Sequence, residues 1–228
     1  MSEITLLSEN RTDFPSVERA MSDPNGLLAV GGDLTHTRLL SAYQAGIFPW
    51  YEENQPILWW SPDPRCVLFL DDFHVSKSLR RRTLNKNLFT VTFDKAFAHV
   101  VNACAGERKK NQGTWITPEI KFAYSELHLL GLGHSVEVWQ DDSLVGGVYG
   151  VAMGSVFFGE SMFSTKSNAS KVALYYLVEK LRALAFTLID CQVYNPHLES
   201  LGAVCIPRQT FIAHLKEAIP DSHLSLWR

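Results

Sequence analysis

The stretch His134-Ser135-Val136-Glu137-Val138-Trp139, followed by Asp141-Asp142, then Leu144 to Met153 and Ser155 to Gly159, decides the fold of this chain. Apolar and polar residues alternate from His134 to Trp139, the paired aspartates make a turn, and two further runs follow at strand length. The pattern predicts an antiparallel meander. Gly146-Gly147 and Gly150 fall inside the second strand and mark bulges or a close backbone approach. Downstream, Asn168 to Ala185 carries Val172, Leu174, Tyr175, Leu177, Val178 and Leu181 at helical spacing, and Thr187 to Val193 is an apolar strand with a polar end. Upstream, Thr117-Pro118-Glu119 opens a helix that Gly131 closes. Before it, Leu88 to Phe93 alternates like a strand, Asp94 caps a helix through Ala105, and His74 to Asn85 is helical with a basic face. Strands leading into helices around one sheet predict an α+β body.

Residues 1–65 read differently. They hold six of the ten prolines and three of the six tryptophans. This predicts a small, irregular N-terminal lobe over residues 1–65, with Gly31-Gly32-Asp33 turning into a helix from Thr35 to Ala45, and a larger body over residues 66–228. At 46% hydrophobic and 20% charged residues the chain can build a core, which excludes disorder, collagen and coiled coil. Twenty-four acids against 21 bases leave a net charge of −3, which excludes a bulk-cationic nucleic-acid binder. No apolar run approaches the roughly 20 residues needed to cross a bilayer, and Met1-Ser2-Glu3-Ile4-Thr5-Leu6-Leu7 lacks a basic region followed by an apolar one, so secretion is not expected. Cys66, Cys104, Cys191 and Cys205 are widely spaced, which suits reduced core thiols. A soluble cytoplasmic protein is expected.

Three constellations could carry chemistry. Lys77, Arg80 and Arg81 share one helix face, with Arg82 and Lys86 beside it. The patch is either an ordinary solvated face or a contact for a phosphate backbone. Gly46-Ile47-Phe48-Pro49-Trp50-Tyr51 and Leu58-Trp59-Trp60-Ser61-Pro62 are dense in rings. Trp59 and Trp60 are expected to be structural, whereas Trp50 and Trp115 could stack on a base. Finally, Asp190 and Gln192 end one apolar strand and Glu160 follows an aromatic one. Burying a carboxylate costs free energy unless it is paired, so these ends mark either a site or structural caps. Strand periodicity predicts Asp190 and Gln192 on one face and Cys191 on the other. No H-E-x-x-H, G-x-S-x-G or P-loop pattern occurs.

Longer blocks carry a resemblance. Pro24-Asn25-Gly26-Leu27-Leu28-Ala29, Gly46-Ile47-Phe48-Pro49-Trp50, Trp59-Trp60-Ser61-Pro62-Asp63-Pro64-Arg65, Gly113-Thr114-Trp115-Ile116, Gly159-Glu160-Ser161-Met162-Phe163-Ser164, Asn168-Ala169-Ser170-Lys171 and Ile189-Asp190-Cys191-Gln192 resemble the bacterial leucyl/phenylalanyl-tRNA–protein transferases, in order and over nearly the whole chain. The resemblance implies a small N-terminal α/β domain joined to an acetyltransferase-like (GNAT) domain with a mixed, largely antiparallel sheet flanked by helices. It implies transfer of leucine or phenylalanine, with methionine as a further donor, from tRNA to the N-terminal arginine or lysine of proteins, marking them for degradation. It further implies Gln192, Asp190 and Glu160 as catalytic residues, with Gln192 and Asp190 a relay that draws a proton from the acceptor amine. Because a neutral amide is a weak base, the Gln192 carbonyl is expected to accept a hydrogen bond from that amine while Asp190 polarises and orients it. Trp50, Trp115, Tyr43 and Tyr124 would lie around the terminal adenosine. Phe157, Met162, Ile189, Val148 and Leu177 would line the side-chain pocket, and Lys77, Arg80 and Arg81 would meet the acceptor stem. A monomer is expected, without cofactor, metal or membrane. The stretch Ser164-Thr165-Lys166-Ser167-Asn168-Ala169-Ser170 lacks the glycine that acyl-CoA enzymes of the GNAT class carry. Such an enzyme, or a non-catalytic tRNA-binding module, is the alternative.

Overall fold

The computed structural model describes residues 4–9, 11–86, 88–111, 114–219 and 226–227, without the side chains of residues 82 and 108–111. Met1 to Glu3, read above for a leader, and Gly113 of the Trp115 block lie outside the described residues. The chain starts with β1 (Thr5–Leu7) and β2 (Leu27–Gly31), continues through α1 (His36–Gln44), and returns as β3 (Phe48–Pro49) and β4 (Leu58–Trp60). These four strands form one sheet in the order β1-β2-β4-β3. Trp59 is wholly buried there, and its indole N–H donates to the Gly31 carbonyl at 2.9 Å. That bond is what permits so large a side chain to lose water altogether.

A second sheet takes the rest. Its strands are β5 (Arg65–Phe69), β6 (Thr90–Phe93), β7 (Gly133–Gln140), β8 (Ser143–Met153), β9 (Val156–Ser164), β10 (Leu188–Gln192) and β11 (Val204–Ile206), in the order β11-β5-β10-β9-β8-β7-β6. β7, β8 and β9 form the meander that the sequence predicts. β9 runs on through Glu160 to Ser164 rather than ending at Gly159, because its second half still pairs with β8. All neighbours are antiparallel except β9 and β10. A parallel pair needs a crossover, and α5 (Ala169–Ala183) supplies it.

The remaining helices are α2 (Lys77–Arg82), α3 (Phe97–Asn111), α4 (Pro118–Leu129), α6 (Pro196–Glu199) and α7 (Arg208–Ala218). α2 is shorter than its basic pattern suggests and passes into a 3₁₀ turn over Leu84–Lys86. Asp94 does not cap α3. It adopts φ 57° and binds the Ser135 amide and the His134 ring, while the buried Glu137 carboxylate accepts from the Lys95 and Ala96 amides ahead of α3. One core, with Tyr43, Val100, Tyr124 and Phe211, fills one face of the large sheet. The other, with Val172, Leu177 and Ile189, lies beneath α5. Among the described residues no helix is long and apolar enough to cross a membrane.

Candidate active site

The parallel pair creates the site by coming apart. β9 and β10 stay in register through Leu188↔Val156, Ile189↔Phe157 and Asp190↔Phe158, and pair no further. Beyond that point β9 remains bonded to β8 and β10 to β5. A crevice opens at their carboxyl ends, where ligands gather in sheets of this kind.

Both strands are bulged where they part. On β9 the register jumps from Gly150↔Gly159 to Tyr149↔Ser161, so Glu160 has no partner on β8. Gly150 permits this: a Cβ there would stand 2.1 Å from the Phe158 carbonyl oxygen. On β10 the register jumps from Asp190↔Val67 to Gln192↔Cys66, and Gln192 adopts φ 64°. Val67 and Cys66 point to opposite cores. The bulge therefore separates Asp190 from Gln192, which strand alternation places on one face, and re-aims Gln192.

Glu160 is the centre of the polar network. Its Oε1 accepts from the Tyr43 hydroxyl at 2.7 Å and from Gln192 Nε2 at 3.1 Å, while its Oε2 is buried with no hydrogen-bond partner among the described residues. Burial raises its carboxyl to about 7, aided by the charge of Asp190 and opposed by the tyrosine hydrogen bonds and by Arg65. Tyr43 and Tyr124 share a short hydrogen bond behind it. Burial pushes both phenols well above their ordinary range, so they stay protonated and act as donors.

Asp190 meets Gln192 through the main chain, not the side chain. Its Oδ1 accepts the Gln192 amide N–H at 2.9 Å, whereas the Gln192 carboxamide is held by Glu160. The Asp190 carboxylate is also clasped by Arg65, Nε to Oδ1 at 2.8 Å and Nη2 to Oδ2 at 2.6 Å. Arg65 donates to the Gly46 carbonyl and lies between the Phe48 and Phe211 rings, 4.8 and 4.7 Å from their centroids. Sequence reasoning missed Arg65. The available signal was a cation opening an apolar strand, Arg65-Cys66-Val67-Leu68-Phe69, which demands a buried anion somewhere.

The crevice encloses about 270 Å³. Glu160, Asp190 and Gln192 line it, as do Trp50 and Trp115. Val148, Met162, Leu177 and Ile189 form an apolar wall, with Leu174, which the sequence reading did not include. Phe157 lies buried beneath that wall without lining the pocket, and Tyr43 and Tyr124 stand behind Glu160. Trp50 is 44% exposed at the rim, and its carbonyl accepts the Trp60 indole N–H at 2.6 Å. Asn195 and His197 also line the crevice. Burial, and after it the charge of Lys171, lowers the His197 pKa, which favours the neutral ring. Lys77, Arg80 and Arg81 are exposed on α2 and do not line the crevice, while Leu79 anchors the helix.

Residues 67–216 match the family model described as leucyl/phenylalanyl-tRNA protein transferase, and residues 32–63 match the model of that family's N-terminal domain. The chain belongs to this family. A leucyl/phenylalanyl-tRNA–protein transferase of Stutzerimonas stutzeri is 55% identical over 225 residues, covering 99% of both chains. One of Azotobacter vinelandii is 58% identical over 212 residues, covering 93% of both. The family consists of aminoacyltransferases, enzymes whose substrates are a charged tRNA and a protein. Among solved structures, L-PGS from Bacillus licheniformis aligns over 72% of this chain and 55% of that one, at TM-score 0.43 and 11% identity. A GCN5-related N-acetyltransferase from Kribbella flavida aligns over 73% and 58%, at TM-score 0.35 and 13% identity.

Proposed function

We propose that this protein moves leucine or phenylalanine from its tRNA to the α-amino group of proteins that begin with arginine or lysine, in the cytoplasm and as a monomer, marking them for degradation. Residues 1–65 supply Trp50 and Tyr43 to the site, and residues 66–228 supply Glu160, Asp190 and Gln192. The observation that carries this reading is the Glu160 carboxylate. It is buried where two strands part, has one oxygen fixed by two donors and the other unpartnered, and titrates near neutrality.

The chemistry follows from the donor. An aminoacyl ester is already activated, so the reaction needs a neutral amine and two positioned substrates, with no cofactor or metal. The acceptor α-amine has a reference pKa of about 7.7–8.0 and is partly neutral at physiological pH. Its lone pair attacks the ester carbonyl, forming the C–N bond. The Gln192 carbonyl oxygen accepts a hydrogen bond from the attacking nitrogen, and Glu160 Oε2 takes the proton that this nitrogen sheds. The tetrahedral centre then collapses, the C–O bond breaks, and the proton passes to the departing ribose oxygen. Arg65 and the Gln192 amide engage the Asp190 oxygens, and Asp190 holds the bulge that aims Gln192.

Specificity follows from the same surfaces. The wall of Val148, Met162, Leu174, Leu177 and Ile189 suits an apolar side chain unbranched at Cβ. The charge on Asp190 is taken up by Arg65, which leaves Glu160 to favour a cationic acceptor. The terminal adenosine stacks on Trp50 or Trp115, and Lys77, Arg80 and Arg81 meet acceptor-stem phosphates. The test follows labelled leucine from charged tRNA to a peptide that begins with arginine, with an alanine peptide as control. Label on the arginine peptide alone is expected. Label on neither, with tRNA still bound, would make the protein a binding module.

A further inference from the structure

Three of the four cysteines, far apart in the sequence, meet on neighbouring strands. Cys66 on β5 lies directly opposite Cys205 on β11. Such residues share a face, with Cβ atoms about 4.5–5.5 Å apart, close to the roughly 3.5–4.5 Å that a disulfide needs. On the other flank of β5, Cys191 is the extra residue of the β10 bulge beside Gln192, the partner of Cys66. Cys66 and Cys191 pack in the core beneath α5, whereas Cys104 lies in the opposite core. Access is graded: Cys205 is exposed, Cys191 half-buried and Cys66 buried.

The cluster is also electrostatically uneven. The neighbouring Cys191 thiol, and then Cys205 and the Asn195 amide, hold the Cys66 pKa below that of an ordinary thiol despite burial. The Cys205 thiol is shifted upward, chiefly by its loss of solvent. Cys66 is thus the most acidic of the three, since Cys66 itself and burial push the Cys191 thiol well up, and Cys205 is its route to solvent. The transfer chemistry uses none of the three.

We propose that Cys66 and Cys205 form a thiol-modification site that peroxide converts to a disulfide, with Cys191 able to replace Cys205 by exchange. Peroxide gives one oxygen to the Cys205 thiolate, leaving a sulfenic acid and hydroxide. The Cys66 thiolate attacks that sulfur; the S–S bond forms, the S–O bond breaks, and a second hydroxide leaves. With the two thiol protons the sum is two thiols and one peroxide to one disulfide and two waters. In the exchange, the Cys191 thiolate attacks the Cys66 sulfur and Cys205 departs as thiolate. A bridge at Cys191 displaces the residue between Asp190 and Gln192, and transfer stops until a dithiol reduces it. That last consequence rests on the function proposed above; the disulfide itself does not.

The test exposes the native protein to limited hydrogen peroxide, alkylates free thiols in denaturant, digests without reductant and identifies peptides by mass spectrometry. A cross-link of Cys66 to Cys205 or to Cys191 is expected, with Cys104 alkylated. Leucine transfer is expected to be lost on oxidation and to return with dithiothreitol. Cys205→Ser and Cys66→Ser should each transfer normally when reduced and keep transferring after peroxide. Alkylated Cys66 without a cross-link would overturn the proposal, as would a Cys205→Ser variant inactivated like the wild type. A cross-link in a protein that transfers nothing when reduced would support the site and refute the transferase reading.

Discussion

Arg65 and Asp190, 125 positions apart in the chain, face each other with two parallel hydrogen bonds of 2.8 and 2.6 Å, and neither side chain is exposed to solvent. This fork-to-fork geometry is the strongest form of an ion pair. It joins the first strand of the large sheet to the strand end that carries Gln192. Through the Gly46 carbonyl and the Phe48 ring it also fastens the turn after α1 to the site.

Removing one partner strands the other as a buried charge. Arg65→Met or Asp190→Asn alone is expected to cost about 3–5 kcal/mol, and the double variant less than the sum. Urea unfolding of the four proteins measures the cycle. Additive losses would show that the two residues do not depend on each other.

Stability should carry the mark of Glu160. Burial pushes its native carboxyl up to about 7, against the usual 4.5 of a glutamate. Between these values the native state keeps a proton that the unfolded chain has released, so stability falls as pH rises through the window and levels above it. The wild type should therefore lose on the order of 3 kcal/mol relative to Glu160→Gln between about pH 5 and about pH 8. Denaturant unfolding at the two pH values checks this, and an unchanged difference would contradict the buried, unpaired carboxylate.

Tyr43→Phe removes one of the two donors on Glu160 Oε1. Hydrogen bonds to a charged form hold its pKa down, so the variant should shift the Glu160 titration upward. The shift can be read from the carboxyl carbon by NMR. An unmoved or lowered titration would mean that Tyr43 does not donate to this carboxylate.

The α2 cations predict a salt effect. Each phosphate contact contributes about 0.9 to the slope of log affinity against log salt for duplexes. A Lys77, Arg80 and Arg81 triple alanine variant should bind tRNA more weakly and with a shallower slope, measured by filter binding across ionic strength. An unchanged slope would take α2 out of the interface.

Much of this was legible in the sequence, and the rest was hidden for a physical reason. Local alternation revealed the meander, and charges at the ends of apolar runs singled out Glu160 and Asp190. Alternation also led astray at Asp190-Cys191-Gln192, because a bulge inserts one residue and flips the faces beyond it. Arg65 with Asp190, and Cys66 with Cys205, depend on which strands become neighbours and in what register. Spacing along the chain does not encode that, so cysteines that look scattered converge on three adjacent strands. Tyr43 and Tyr124 entered only through family resemblance, since nothing about a tyrosine in a helix announces the carboxylate it meets.

The most direct measurement is the single-turnover rate of peptide-bond formation from leucyl-tRNA to a saturating peptide that begins with arginine, for the wild type and Glu160→Gln. Tight binding of tRNA by both proteins is verified separately. With Glu160 as proton acceptor, the variant should be slower by roughly 10²–10⁴-fold while its tRNA affinity is unchanged. A variant that forms the bond at nearly the wild-type rate would contradict the account.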